Sequence, residues 1–350
     1  AVGLQAMNSC TTGVGNVGLG HDALEKCTTA SYNVAVGLQA MHTSTTGTQN
    51  VAVGTNAMEL TTTGSYGVAL GMGALEQNTT GNHNVAVGYE ALEENTTADN
   101  NVAIGLYALR KNTTGTPNIA VGAYALDALT TGGGNTAVGY WAGSVMITPN
   151  HNTLMGYYAG YPITTGYRNS VFGAMGGYGL TSGYNNTFLG YDAGATNSPS
   201  GNITTSNNVI CLGDNNVSNL YCNDTSISSS DSRDKTDVVN FTHGLNWVKQ
   251  LNPVTYRWDK RAWYNEYNED GSVKTVVTPN GSKKRNKKHI GFLAQDVLTI
   301  EGNPSDKDDM LVVNLNEDDT AYGLKYERLV PVLVNAIKEL EARIATLESS

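Results

Sequence analysis

Glycine returns every 17 residues, at 3, 20, 37 and onward without a gap to 190, twelve times in all. The motif around it is Asn-Val-Ala-Val-Gly, and its Asn stands at 16, 33, 50, 84, 101, 118, 135, 152, 169 and 186, with Gly67 the one exception. Ala follows each glycine by three places in nearly every copy, and Thr-Thr pairs keep the same register from 11 to 164. A fixed period without insertions requires that each copy be one coil laid on the last. Val34-Ala35-Val36 has strand periodicity, read here with the β-branched residues facing in and Ala facing out. The Gly after it and the Thr-Thr-Gly opposite supply the turns. Stacking places Asn over Asn about 4.8 Å apart, close enough for a ladder of amides, and twelve coils make a rod section of roughly 55 Å. The expected class is mostly β, a β-solenoid or β-roll. A short helical turn at Ala-Leu-Glu in each copy stays open; a long helix does not, with Gly so frequent.

Composition divides the chain near residue 230. Residues 1–229 hold 12 Asp+Glu and 4 Lys+Arg, whereas 230–350 hold 19 and 17. We therefore expect a repeat shaft over 1–195, a shaft end and linker over 196–229, and a separate α+β domain over 230–350. The net charge of -10 argues against a nucleic-acid partner. No apolar run reaches the roughly 18–20 residues of a bilayer span, so membrane insertion is not expected. The sequence opens in mid-repeat, at Ala1-Val2-Gly3 and without a leader, which reads as a piece of a longer protein.

The repeat changes late. Four places after the glycine stands Met or Leu through Leu126, then Gly at 143, 160, 177 and 194. Tyr140, Trp141, Tyr157, Tyr158 and Tyr191 enter beside the glycine over the same stretch. These aromatics are candidate contacts for sugar rings. The reading preferred here is volume compensation, with aromatics filling the space that Leu gives up.

In their Asn-Val-Ala-Val-Gly and Ala-Leu elements the repeats resemble the heads of trimeric autotransporter adhesins and phage tail fibres. That resemblance implies three chains in one shaft, which would hide the sheet edges. Cys10 and Cys27 occupy one register on adjacent coils, where a disulfide would just fit. Free thiols are expected, because virion parts assemble in a reducing cytoplasm. Cys211 and Cys222 flank the end of the rod, where Asn207 occupies the next expected Gly position and the pattern returns only at Gly213.

Ser230-Asp231-Ser232-Arg233-Asp234-Lys235 opens the charged segment. Leu251-Asn252-Pro253-Val254-Thr255-Tyr256-Arg257-Trp258 follows, then His289-Ile290-Gly291-Phe292-Leu293-Ala294-Gln295-Asp296-Val297, then Tyr326, Leu329, Pro331, Leu333, Ala336, Ile337 and Leu340. In this order the motifs resemble the intramolecular chaperone domain of phage endosialidases and tail fibres (peptidase family S74). The resemblance implies self-cleavage by a Ser/Lys dyad, with Ser230 the nucleophile and Lys235 its base, and Asp231 and Arg233 as possible supports. The cut falls at the peptide bond beside Ser230, on a side left open. A lysine acts as base only after losing its proton, which calls for burial or cationic neighbours. No cofactor is implied, and no His/Cys/Asp spacing suggests a metal site.

Val330, Leu333, Ile337, Leu340, Ile344 and Leu347 step by three and four along a helix expected over about 325–348, which makes them a coiled-coil seam. Its a/d residues favour two strands, whereas the resemblance says three; three is preferred, because the folded parts outweigh so short a seam. Lys283-Lys284-Arg285-Asn286-Lys287-Lys288 reads as a solvated hairpin loop rather than a polyanion site.

The reading is a fragment of a phage tail fibre that binds a host-surface glycan or protein receptor. It would assemble as a homotrimer in the host cytoplasm, join an attachment region outside this sequence, and release its chaperone domain by self-cleavage. One rival is a bacterial trimeric adhesin, which should end in a membrane-anchoring barrel absent from 1–350. The other is the non-catalytic part of a polysaccharide-degrading tailspike. A shaft enzyme would need paired carboxylates, yet residues 100–200 contain only Asp127 and Asp192, in different coils.

Overall fold

In the computed structural model two compact units divide the chain, Ala1–Asn216 and Val217–Ser350. The residues described are 1–217, 235–264, 266–267, 273–275, 277–306, 309–315 and 322–350.

The first unit is a β-solenoid. Twelve strands of three or four residues, from Val17–Leu19 to Ile210–Leu212, form one parallel sheet in chain order. Val34 pairs with Val51 and Ala35 with Ala52, so the register step equals the sequence period. Only the last step differs: Thr187 pairs with Ile210, because that coil is 23 residues long in place of 17. The repeated glycine marks where coils press together. At Gly37 φ is +141°, and a Cβ would lie 2.3 Å from the carbonyl oxygen of Gly54 in the next coil. No helix forms in the Ala-Leu segment. The turn instead passes through left-handed residues such as Gln39 (φ 56°) and Met41 (φ 52°), and Met41 N donates to Ala57 O of the next coil at 3.0 Å.

The strands face the opposite way from the sequence reading. Ala35, Ala52, Ala69, Ala86, Ala103, Ala120 and Ala137 are fully buried, and the flanking Val, Leu and Ile look outward, with Ile104 40% exposed. The physical reason is width. Leu24, Met41, Met58, Leu75, Leu92, Leu109 and Leu126 already fill the coil from the opposite turn, so only a small residue fits beneath the strand.

The late change is likewise made inside the coil and not by the aromatics. Where Leu gives way to Gly, the central strand residue grows from Ala137 to Leu154, Val171 and Phe188, all fully buried. A Cβ on Gly160 would lie 2.7 Å from Leu154 Cδ2, and one on Gly194 would lie 2.8 Å from Phe188 Cε1. Leu129, Met146, Ile163 and Leu180 fill the remaining space. Tyr140, Tyr157 and Tyr191 are exposed, so they compensate no lost core volume.

The asparagine ladder forms, chiefly from side chain to backbone. Asn33 N donates to Asn16 Oδ1 and Asn50 N to Asn33 Oδ1, each at 2.9 Å, while each Nδ2 donates to a carbonyl of the facing turn. A second, shorter amide column that the repeat pattern did not announce runs through Asn78, Asn95 and Asn112: Asn95 Nδ2 donates to Asn78 Oδ1 at 2.8 Å and Asn112 Nδ2 to Asn95 Oδ1 at 3.2 Å.

Among its described residues the second unit carries three α-helices, α1 (Leu245–Val248), α2 (Ala294–Ile300) and α3 (Leu329–Glu348), with short antiparallel strand pairs. Its core joins Trp247, Val297, Met310, Val312, Val313, Leu329 and Val332. The helix expected over about 325–348 is a 3₁₀ turn at Tyr326–Arg328 followed by α3.

Candidate functional site

Three of the four C-terminal motifs converge on one place. Val254–Tyr256 pairs antiparallel with His289–Gly291, and this sets Tyr256 opposite His289, with ring centroids 5.5 Å apart and nearly parallel. The Tyr326 hydroxyl accepts from Phe292 N at 3.0 Å. Gly291 makes room for it, since a Cβ there would lie 2.4 Å from that oxygen. Burial, and then the neighbouring Tyr326, push the Tyr256 phenol above its ordinary range. These contacts hold the strand pair against the segment that leads into α3.

The self-cleavage residues are placed less fully. Ser230, Asp231 and Arg233 lie outside the described residues. Lys235 is exposed, at the start of a stretch without regular secondary structure that leads to α1. The seam residues all sit on α3, from Val330 at 57% exposed to Leu347 at 75%, while Leu329, Val332 and Ala336 are buried along the adjoining face. The lysine-rich run lies in the connection before His289, pinned by aromatics: Arg285 sits 4.7 Å over the Trp263 ring and Lys283 5.3 Å over Tyr264.

On the shaft the aromatics form a linked surface array that runs beyond the five residues expected. Tyr107, Tyr124, Trp141 and Tyr158 succeed one another coil by coil at 5.3, 4.6 and 6.2 Å between centroids. Tyr140 stacks on Tyr157 at 5.7 Å and Tyr161 on Tyr178 at 5.9 Å beside them. Tyr191 stands apart, with its hydroxyl 3.7 Å from Met175 Sδ. The signal for Tyr107, Tyr124, Tyr161 and Tyr178 was their position in the 17-residue frame, not the residue after the glycine.

Another column gathers the shaft's charges. His42 Nε2 meets Glu25 at 2.5 Å, Arg110 Nε meets Asp127 at 3.0 Å, and Glu59, Glu76 and Glu93 stand between them in the same register. Burial and then the Glu90 charge push the Glu93 carboxyl up to about 7. Glu76 is raised by burial, then by Glu59 and Glu90. Among the described residues no cluster of His, Cys, Asp or Glu is arranged to hold a metal ion, and no helix is long and apolar enough to cross a membrane. Cys10 and Cys27 are thiols with Sγ atoms 2.9 Å apart; burial, and then Cys10, push the Cys27 thiol up to about 12.

Comparison with curated proteins and with solved structures gives no match. Residues 230–303 match the family described as chaperone of endosialidase (Peptidase_S74), and that match, together with a solenoid of stacked 17-residue coils, fits a phage tail fibre with a C-terminal chaperone domain.

Proposed function

We propose that the chain is a receptor-binding segment of a phage tail fibre. In this reading its C-terminal domain brings three copies together, sets the register of their shafts, and then cuts itself away through Ser230 and Lys235. The observation that carries this is the family match, which opens at Ser230 and covers the Ser/Lys motif. Parallel pairing over a long sheet folds slowly and exposes edges meanwhile. A helical segment that associates first would remove that hazard. Its later loss would leave the shaft protected by a kinetic barrier, with no helper from which to refold.

The sheet's outer face supports a shaft of several chains. The column from Leu19 to Leu212 is apolar at all twelve strands, and residues such as Leu70, Ile104, Met155 and Leu189 are about two-fifths exposed in the single chain. An apolar strip of that length calls for cover by another chain. Host attachment would use the Tyr and Trp array. Arg168 is the one Asp, Glu, Lys or Arg between 128 and 184, so the Tyr140–Tyr178 part of the array suits a neutral glycan better than a charged one, whereas Arg110 lies 4.4 Å over the Tyr107 ring at the array's other end. Where rings lie parallel they cover one another's faces, so a glycan would meet ring edges and hydroxyls as well as the faces left open.

Expression of residues 1–229 alone tests the chaperone role. The proposal expects aggregated shaft from that truncation and soluble oligomer from the full chain. Soluble, correctly assembled 1–229 would overturn it.

A further inference from the structure

One helix holds both the association seam and the backbone that leads away from the cleavage motif. On one side of α3, Asn335 Nδ2 donates to Phe241 O at 2.8 Å and to His243 O at 3.2 Å. One turn on, the Glu339 carboxylate accepts from Leu245 N at 3.2 Å. Asn335 and Glu339 are four residues apart and so share a face, beside the buried Val332 and Ala336. Between the two anchors the chain lies flat against the helix. A Cβ on Gly244 would fall 2.0 Å from Glu339 Oε1 and 3.4 Å from the Asn335 carbonyl carbon. The seam occupies the far side of the same helix, with Leu333, Ile337 and Leu340 each 44% exposed or more. A 20-residue helix is stiff over this length. Where it is placed by its sister helices, the segment 241–245 must follow.

We propose that Asn335, Glu339 and Gly244 form a strap that couples helix association to self-cleavage, by fixing where the segment carrying Lys235 runs relative to the seam. This rests on the self-cleavage reading above and adds its regulation. The three are positioning residues and take no part in bond making. Lys235 is six residues before Phe241, a reach of at most about 20 Å. The strap therefore restricts the region each Lys235 can occupy around the helix bundle, and it leaves final alignment to the junction itself. The contacts are made by backbone carbonyls and an N–H, so they hold path and direction without depending on the side chains of 241–245.

The test follows two quantities in the same full-length samples over time, the fraction trimeric by native mass and the fraction cut by denaturing electrophoresis. Asn335→Ala and Glu339→Ala should trimerise as the parent does yet be cut about 10-fold more slowly or worse, as expected when reacting groups are less well placed. Glu339→Gln keeps an acceptor oxygen for Leu245 N and should restore the rate to within about two-fold. Cleavage at the parental rate in trimeric Asn335→Ala and Glu339→Ala would overturn the strap. Failure of both to trimerise would also overturn it, by assigning these residues to folding. The Ser230→Ala control separates the two levels: if that variant is cut, the self-cleavage reading fails, whatever the strap variants do.

Discussion

Asn50 Oδ1 accepts from Gly67 N at 2.7 Å, although Gly67 has no side-chain amide with which to continue the ladder. The interruption is tolerated because Met58 occupies the vacated space, its Cε 2.7 Å from where a Gly67 Cβ would be. The coil after it does without the bond from its N–H to a previous Asn, since the residue 17 before Asn84 is Gly67, and Asn84 keeps its Nδ2 bond to Ala98 O at 2.7 Å; one rung is therefore replaceable where packing changes with it.

Asn135→Ala should be far more damaging than the natural Gly67. Asn135 Oδ1 accepts from Asn152 N at 3.0 Å and its Nδ2 donates to Pro149 O at 2.8 Å, all in the interior. Truncation strands a donor and an acceptor, and each orphan costs about 1–3 kcal/mol. Denaturant unfolding should register a loss of about 3 kcal/mol. A loss below about 0.5 kcal/mol would mean that the ladder is not a source of stability.

The interior exchange predicts a strong coupling. Phe188→Ala should cost about 3–5 kcal/mol through the cavity it leaves. Gly177→Leu alone should overpack, because a Cβ there already lies 3.1 Å from Phe188 Cδ2. Together the two should recover at least about 1 kcal/mol relative to their sum. The left-handed φ of Gly177 is no bar, since Leu126 and Leu109 hold the same position at φ 53° and 51°. Simple additivity in a double-mutant cycle would refute the compensation.

Acidity should stabilise the shaft. The folded Glu93 carboxyl stands near 7 against an ordinary 4.5, with burial the first cause and Glu90 the next. A carboxyl raised on folding holds its proton more tightly in the native state. Its penalty is absent below the ordinary value, grows as pH rises toward 7, and is complete above that. The melting temperature should fall from pH 5 to pH 8, and Glu93→Gln should raise it at pH 8 while changing little at pH 4. A larger gain at pH 4 would reverse the sign and contradict the account.

Much of the shaft was legible from Gly37 and its equivalents, because a period with no insertions leaves stacked coils as the one arrangement. Facing was not legible. Val-Ala-Val alternates in either direction, and only the width of the coil, already filled by Leu75 and its equivalents, decides that Ala goes inside. The late aromatics misled for a related reason: the compensating residues, Leu154 and Phe188, lie in strands six residues before one lost Leu position and eleven after another, rather than beside it in sequence. At the C-terminal end the motifs that carried the resemblance include Tyr256, His289 and Tyr326, but their mutual contacts join distant segments and were not legible in their order. The anchoring of 241–245 by Asn335 and Glu339 could not be read, because it joins positions more than 90 residues apart through backbone groups.

Denaturing electrophoresis with intact-mass analysis of freshly made full-length chain tests the central claim most directly. The account predicts that the 37.0 kDa chain is divided into two pieces at the bond beside Ser230, and that Ser230→Ala and Lys235→Ala each stay whole while still forming the trimer. Processing of either variant at the parental rate would contradict it.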